Sequence, residues 1–273
     1  MSAAKRLSFA AVVISLAVAI IWVFPVVWMA GNSFRPNQEI LAVDLTKFTF
    51  TMKNYQFVLR YANYSRYFFN SLVVAIGTTV LTVVSASLCA YSLTRFNTGG
   101  RLFDAAILAT RAVPPAVRMI PFFLAFSLLG LTNSLYGLVL AHLSFNVPMA
   151  IWLVRGFLEK VPVTLEEAAL IDGCTRLQAL RHVLLPVAAP GLAVVAILTF
   201  IYTWNEFLIS LVLASGNESR TLPVAASMFV SGFEINWGPF YAAGTLILAP
   251  VLILTFTIQR FIVEGLTLGA VKG

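Results

Sequence analysis

Six long apolar runs constrain this chain more than any other feature of its sequence. Each has about twenty or more residues, the length that an α-helix needs to cross roughly 30 Å of hydrocarbon. Because 60% of the residues are hydrophobic and only 11% are charged, a soluble fold would have too little polar surface to cover them. We therefore predict an all-α, polytopic membrane protein that forms a single domain over residues 1–273. The predicted spans cover about residues 7–30, 70–94, 104–129, 136–155, 187–213 and 240–263.

The distribution of lysine and arginine predicts the orientation of these spans. Short loops on the cytoplasmic side carry an excess of basic residues. Residues 131–135 contain none and residues 214–239 contain only Arg220, whereas the other short connections are basic. Their basic residues are Arg95, Arg101, Arg155, Lys160, Arg176 and Arg181. We expect both termini and residues 161–186 to be cytoplasmic; the basic loop 31–69 opposes this, but longer loops count less.

The net charge of +7 has the same explanation. A basic balance often indicates nucleic acid or another anionic partner, but here the cytoplasmic bias of a membrane protein accounts for the excess. We expect the lipid bilayer as a partner and no nucleic acid.

Residues 161–186 are the longest polar interruption in the second half of the chain. Thr164 and Glu167 stand three residues apart, the spacing of a capping box at the start of a helix. Gly173 is predicted to end that helix. Thr175 and Gln178 repeat the start signal, and a proline closes a second short helix at residue 186. The pattern predicts two short helices joined by a turn.

This stretch resembles the cytoplasmic signature of the membrane-spanning permease subunits of ATP-binding-cassette (ABC) importers. The matching residues are Glu167, Ala168, Ala169, Gly173, Val183, Leu185 and Pro186. Two further matches resemble the sugar-importing, maltose-permease-like branch: Trp204 to Phe207 late in a span, and the tail from Gly265 to Gly273. The resemblance implies a type I importer permease fold, with six transmembrane helices and a cytoplasmic coupling helix.

The resemblance also implies which residues meet the ATPase. Glu167 is expected to face an arginine of the ATPase, at a helix start where negative charge is tolerated. The expected coupling residues are Glu166, Glu167, Ala168, Ala169, Asp172, Gly173, Leu185 and Pro186. Residues of the cytoplasmic tail 264–273 are expected to enter the ATPase dimer, although a frayed terminus is the ordinary alternative. They are Gly269, Val271, Lys272 and Gly273.

Catalytic and nucleotide-binding motifs are absent from the sequence. It contains no phosphate-binding loop of the G-x-x-x-x-G-K-[ST] type, only two histidines, and two isolated cysteines, Cys89 and Cys174. We expect no enzyme activity, disulfide, metal or cofactor in this chain. The resemblance implies ATP and Mg on two partner ABC ATPase subunits. It also implies a second homologous permease subunit in a heterodimer and an extracytoplasmic sugar-binding protein.

Polar side chains inside the predicted spans are candidates for a substrate path, because a charge at mid-bilayer costs about 2.5–3.5 kcal/mol on insertion scales. In the third span Asp104, Arg111 and Arg118 follow at steps of seven, which places them on one helix face. We expect the nearby prolines, Pro114, Pro115 and Pro121, to break this helix. We predict that three spans converge on a water-filled cavity. The path residues are Arg111, Arg118, His142, Asn146, Tyr202, Asn205 and Glu206. Two alternatives stay open: Arg111 and Glu206 neutralise each other or bind polar backbone, and His142 bonds a neighbouring helix.

These features predict the permease subunit of an ATP-driven importer that carries a sugar or sugar derivative across the cytoplasmic membrane. One rival is a secondary carrier in which Glu206, His142 or Asp104 binds protons. Another keeps the ABC assignment but changes the cargo to peptides, amino acids or polyamines. Two arginines in the third span suggest an anionic cargo, since guanidinium pairs well with oxyanions.

Overall fold

The computed structural model describes residues 3–42, 47–61, 63–230 and 235–267. Within these ranges the chain is helical and contains no β-strand, only an isolated antiparallel bridge between Val230 and Ile235. The prediction of an all-α chain is confirmed. The four predicted tail contacts, Gly269, Val271, Lys272 and Gly273, lie outside the described residues.

The helices are named here in chain order. The first seven are α1 Ala3–Asn32, α2 Asn37–Leu41, α3 Lys53–Tyr61, α4 Tyr64–Phe96, α5 Gly100–Ala109, α6 Pro115–Leu128 and α7 Leu135–Leu158. Next come α8 Val163–Ile171, α9 Arg176–Ala179, a π-helical turn Leu180–Leu184 and α10 Leu185–Val187. The last are α11 Ala189–Asn205, α12 Leu208–Leu213, α13 Leu222–Ser227 and α14 Trp237–Thr267.

Four of the described helices are long and apolar enough to cross a membrane: α1, α4, α7 and α14. They fall on the first, second, fourth and sixth predicted spans. The strongly bent pair formed by residues 176–187 and α11 would make a fifth, and α6 is a shorter apolar helix. The structure therefore has the form of a polytopic membrane protein, but two of the predicted spans are not continuous helices.

The third predicted span, 104–129, is interrupted. Helix α5 ends at Ala109 and α6 begins at Pro115, with Pro114 in an extended conformation before it. A proline at the first helical position starts a helix readily, because its missing N–H has no intrahelical partner there, and the residue before a proline avoids the helical conformation. The predicted helix break near Pro114 is confirmed, and the prediction that Asp104, Arg111 and Arg118 share one helix face is wrong.

The fifth predicted span, 187–213, is interrupted as well. Residues 176–187 and α11 meet at an angle of 82°, where Pro186 and Pro190 each remove a backbone donor. At its other end α11 stops at Asn205, and α12 starts at Leu208. This predicted span therefore consists of three separate helices, α10, α11 and α12.

The chain divides into two compact units. The first contains residues 1–65 and 225–250, and the second contains residues 66–224 and 251–273. In the first unit Asn54 donates to the backbone oxygens of Ser33 and Arg35, both at 2.8 Å. The second unit has an apolar cluster built from α4, α7, the 161–188 region and α11. This cluster supports the site described next.

Candidate functional site

The coupling segment, residues 161–187, begins with α8. This helix starts at Val163, with Pro162 at its N-cap and no side-chain cap. Thr164 is therefore already inside the first turn, so the predicted capping box between Thr164 and Glu167 is wrong. The fixed backbone of Pro162 sets the start of the helix instead.

The end of α8 follows the prediction. Gly173 has φ +91°, a left-handed conformation that glycine adopts without steric cost. Its N–H bonds the carbonyl of Leu170 at 3.1 Å, and the N–H of Cys174 bonds the carbonyl of Ala169 at 3.0 Å. This pair of bonds is a Schellman motif, which satisfies two carbonyls at the helix end.

The second half of the segment starts with the predicted capping box. The backbone N–H of Thr175 donates to Gln178 Oε1 at 2.7 Å, and that of Gln178 donates to Thr175 Oγ1 at 3.4 Å. A π-helical turn over Leu180–Leu184 follows. Pro186 lies just beyond it, and the helix continues to Val187 rather than ending at the proline.

The two glutamates of α8 are placed differently. Glu166 is 4% exposed, and its carboxylate binds Arg95 Nε at 2.8 Å and the hydroxyl of Tyr91 at 2.5 Å. Arg95 also donates to the carbonyl of Val161 at 3.0 Å. Glu166 is therefore held inside this chain, whereas Glu167 is exposed. The assignment of both residues to ATPase coupling stays a prediction.

The remaining predicted coupling residues divide in the same way. Ala169 is buried and Leu185 is half-buried, while Ala168, Asp172, Gly173 and Pro186 are exposed. Two bulky apolar side chains share this surface, Ile171 at 85% and Leu177 at 63% exposure. We call Glu167, Ala168, Ile171, Asp172 and Leu177 the outer face of the coupling segment. Exposed apolar side chains rimmed by polar ones are typical of a protein-binding surface.

A second feature is a cavity of about 350 Å³ beside α7 and α11. It brings together three of the predicted path residues, Arg111, Asn146 and Tyr202. The rest of its lining is Met149, Ala150, Leu153, Val195, Leu198, Thr199 and Ile201. A mostly apolar wall with a few polar groups is the usual composition of a small-molecule site.

The polar groups at this cavity are held by neighbouring backbone and side chains. Arg111 donates to the carbonyl of Phe145 at 2.7 Å, close to Pro148, which interrupts the hydrogen bonds of α7. Asn146 donates to the carbonyl of His142 at 2.9 Å and to Thr203 Oγ1 at 3.3 Å. Arg111 thus binds polar backbone, as one of the sequence-based alternatives stated, but it also lines the cavity.

The other predicted path residues do not line this cavity. Arg118 stacks on the ring of Phe145, 3.9 Å from its centroid. His142 is fully buried, and neither of its ring nitrogens has a hydrogen-bond partner in the described part of the chain. The predicted bond from His142 to a neighbouring helix is therefore not formed. Asn205 is exposed and donates to the carbonyl of Ile201 at 2.8 Å.

Glu206 has a structural position. Its carboxylate accepts the backbone N–H groups of Ile209 at 2.9 Å and Ser210 at 3.3 Å, so it caps the start of α12. Trp204 beside it is 1% exposed and lies between the rings of Phe68 and Phe200. These contacts give Trp204 and Glu206 structural roles at the break between α11 and α12. Glu206 does not neutralise Arg111.

Sequence reasoning did not predict two sets of contacts that organise this region. Tyr91 and Arg95 hold Glu166, and their spacing of four places them on one face of α4. Asp104 pairs with Arg155 at 2.5 Å, which connects α5 to α7 instead of placing Asp104 on a path. Cys89 and Cys174 are both free.

The long apolar helices define a polytopic α-helical membrane protein. Comparison with known proteins gives the family. Residues 82–267 match the model of the binding-protein-dependent transport system inner membrane component, and the chain belongs to that family. It is thus a multi-pass membrane protein and the transport component of such a system.

Named relatives and a solved structure agree with this family. The chain is 33% identical over 264 residues to the trehalose/maltose transport system permease protein of Thermococcus litoralis, covering 95% of each chain. It is 36% identical over 273 residues to the trehalose transport system permease protein of Mycobacterium tuberculosis, covering 99% of each. The fold matches a chain of a bacterial ABC transporter involved in the import of the acidic polysaccharide alginate, with a TM-score of 0.80 at 22% identity, over 95% of this chain and 98% of that one.

Proposed function

We propose that this chain is a permease subunit of an ATP-driven importer that carries a sugar or sugar derivative. The observation that carries the proposal is the coupling segment of this family member. In this segment the carboxylates of Glu167 and Asp172 and the apolar side chains of Ile171 and Leu177 are exposed. Cargo class follows from the relatives, whose names specify trehalose and maltose.

The outer face of the coupling segment is the surface that we assign to an ABC ATPase. Glu167 would pair with an arginine of the ATPase, and Ile171 would enter an apolar depression there. Two ATPase copies would bind ATP and Mg, while this chain binds no cofactor and performs no hydrolysis. ATP must bind the two arrangements of the permease with different affinity if it is to drive the transition between them.

The cavity at Arg111, Asn146 and Tyr202 is the part of the cargo path that we assign to this chain. A second, homologous permease would complete the path as a heterodimer, and an extracytoplasmic binding protein would deliver the cargo. The basic residues of the short connections favour cytoplasmic positions for both termini and for the coupling segment.

A reconstituted complex tests the cargo path. We expect Arg111→Met to lower the rate of ATP-dependent uptake while the subunit still assembles with its partners, because the cavity loses its cation. Arg111→Lys retains the charge and should retain more activity. Normal uptake by Arg111→Met would remove Arg111 from the path.

The class of transporter needs a separate measurement. Proteoliposomes that contain the whole complex should accumulate cargo only with ATP and with the binding protein. Uptake that follows a proton gradient without nucleotide would indicate a secondary carrier instead. Calorimetry of the binding protein with trehalose, maltose, an anionic glycoside and a peptide then identifies the cargo class, and a peptide or amino-acid ligand would overturn the sugar assignment.

A further inference from the structure

Helix α4 contacts functional elements at both of its ends. It runs from Tyr64 to Phe96, 33 residues without a proline, which is about 50 Å at 1.5 Å per residue. The other membrane-length helices of the described residues contain Pro25, Pro148 or Pro250. Since a proline inside a helix removes a hydrogen bond and kinks it, α4 is the one without this source of bending.

The C-terminal end of α4 holds the start of the coupling segment. Arg95 and Tyr91 both bind the carboxylate of Glu166. Arg95 and Glu166 are buried, with side-chain exposures of 9% and 5%. Removal of one partner from such a buried pair leaves an uncompensated charge. The pair is therefore a strong attachment between α4 and α8.

The same end of α4 also contacts the second half of the coupling segment. The guanidinium of Arg176, the first residue of α9, lies over the ring of Phe96 at 4.8 Å, a favourable cation–π arrangement. The ring of Phe96 packs edge-on against Tyr91, with centroids 5.6 Å apart. The two helices α8 and α9 of the coupling segment thus both contact α4, and the segment also continues along the chain into α11.

The N-terminal part of α4 holds the loop between α12 and α13. The side-chain amide of Asn70 donates to the backbone oxygens of Glu218 and Arg220, both at 2.9 Å. The N–H of Leu222 donates to Ser71 Oγ at 2.8 Å. All five residues lie in the same compact unit as the coupling segment. Movement of α4 along its axis would therefore pull on this loop.

We propose that α4 is a rigid connection that transmits movement of the coupling segment to the α12–α13 loop, with Arg95 and Asn70 as positioning residues at its two ends. The inference rests on the proposed function, because an ATPase partner must supply the movement. With the coupling segment in the cytoplasm, the α12–α13 loop lies on the extracytoplasmic side, where a binding protein would dock. Coupling between distant sites requires a physical element that both sites bias, and α4 has a defined contact with each.

The experiment measures how accessible the α12–α13 loop is to a labelling reagent in the assembled complex. A single cysteine is placed at Ser215, an exposed residue of the loop, after replacement of Cys89 and Cys174 by serine. Glu218 is kept, because its carboxylate pairs with Arg66 of α4 at 3.7 Å. Its rate of reaction with a membrane-impermeant maleimide is measured without nucleotide and after trapping with ATP and vanadate. We expect a change of about fivefold or more in the otherwise unchanged complex, the lower end of typical coupling between sites.

The variants Arg95→Met and Asn70→Ala should each make the reaction rate insensitive to ATP, while ATP hydrolysis by the complex continues. The double variant should be no worse than either single variant, because one broken connection is enough. Ser85→Ala is the matched control: Ser85 lies exposed in the middle of α4 and should leave the response intact. If Arg95→Met does not assemble, Tyr91→Phe removes only the hydroxyl that binds Glu166 and should weaken the response.

The possible results separate the two proposals. A complex that neither hydrolyses ATP nor imports cargo overturns the proposed function. A complex that does both, but whose loop responds to ATP normally in Arg95→Met, Tyr91→Phe and Asn70→Ala, overturns the role of α4. Single variants that each lower the response only in part, with losses that add in the double variant, also overturn it, because two independent structural defects would add.

Discussion

Glu166 and Glu167 are neighbours in the chain and lie on different faces of α8. Glu166 is buried in an ion pair with Arg95, 71 positions away, while Glu167 is exposed. Successive residues of a helix differ in direction by about 100°, so one side chain can serve the fold and the next a partner. This division separates the effects expected for the two carboxylates.

Loss of Glu166 should act on stability. Glu166→Ala leaves the guanidinium of Arg95 buried without its counter-charge, and we expect a loss of about 3–5 kcal/mol. Thermal unfolding in detergent measures this. Glu167→Lys should leave the unfolding temperature within the range of surface substitutions and abolish ATP-driven uptake. Normal uptake by Glu167→Lys would show that the outer face does not transmit force.

Gly173 should tolerate few replacements. Space is available, because no atom lies within 4 Å of the position that a Cβ would take, but the φ of +91° is unfavourable for other residues. We expect Gly173→Val to destabilise the turn by about 1–2 kcal/mol or more and to reduce uptake, with Gly173→Asn milder because asparagine enters the left-handed region more readily. Uptake by both variants at the level of the unmodified complex would indicate that uptake does not depend on the left-handed conformation of this turn.

Two helical glycines form a natural pair for a packing test. A Cβ on Gly191 would lie 2.3 Å from the ring of Phe157, whereas one on Gly156 would meet nothing within 4 Å. Gly191→Ala should therefore cost about 1–3 kcal/mol through overpacking of α7 against α11. Gly156→Ala should be neutral or stabilising by up to about 1 kcal/mol, through its better helix propensity. Unfolding of the two purified variants side by side measures the difference, and equal stabilities would refute the close approach.

Glu206 should behave as a helix cap rather than as a proton carrier. Glu206→Ala removes the acceptor for Ile209 and Ser210, and a lost cap costs about 0.5–2 kcal/mol. Asn205→Ala is the control, since this exposed residue bonds only one carbonyl of its own helix among the bonds described. Uptake by Glu206→Gln should keep its dependence on ATP. Uptake by the unmodified complex that depends on a proton gradient and not on ATP would support the carrier alternative.

Local signals in the sequence determined much of the architecture. Length and hydropathy indicated an all-α membrane protein, and helices α1, α4, α7 and α14 fall on predicted spans. Gly173 and the pair Thr175 and Gln178 marked a helix end and a helix start. Signals of this kind can be read directly because they depend on residues three or four positions apart, whose contacts form inside one helix.

The tertiary structure decided where helices break and which polar groups meet. The prolines at 114 and 115 indicated the break before α6. Hydropathy averaged over a window does not report whether backbone hydrogen bonds continue, so the break near Glu206 was hidden inside an apolar run. Likewise Thr164 has the spacing of a cap, but Pro162 starts the helix earlier. The buried pair of Arg95 with Glu166 joins residues 71 positions apart, and only the packing of α4 against the coupling segment brings their charges together out of water.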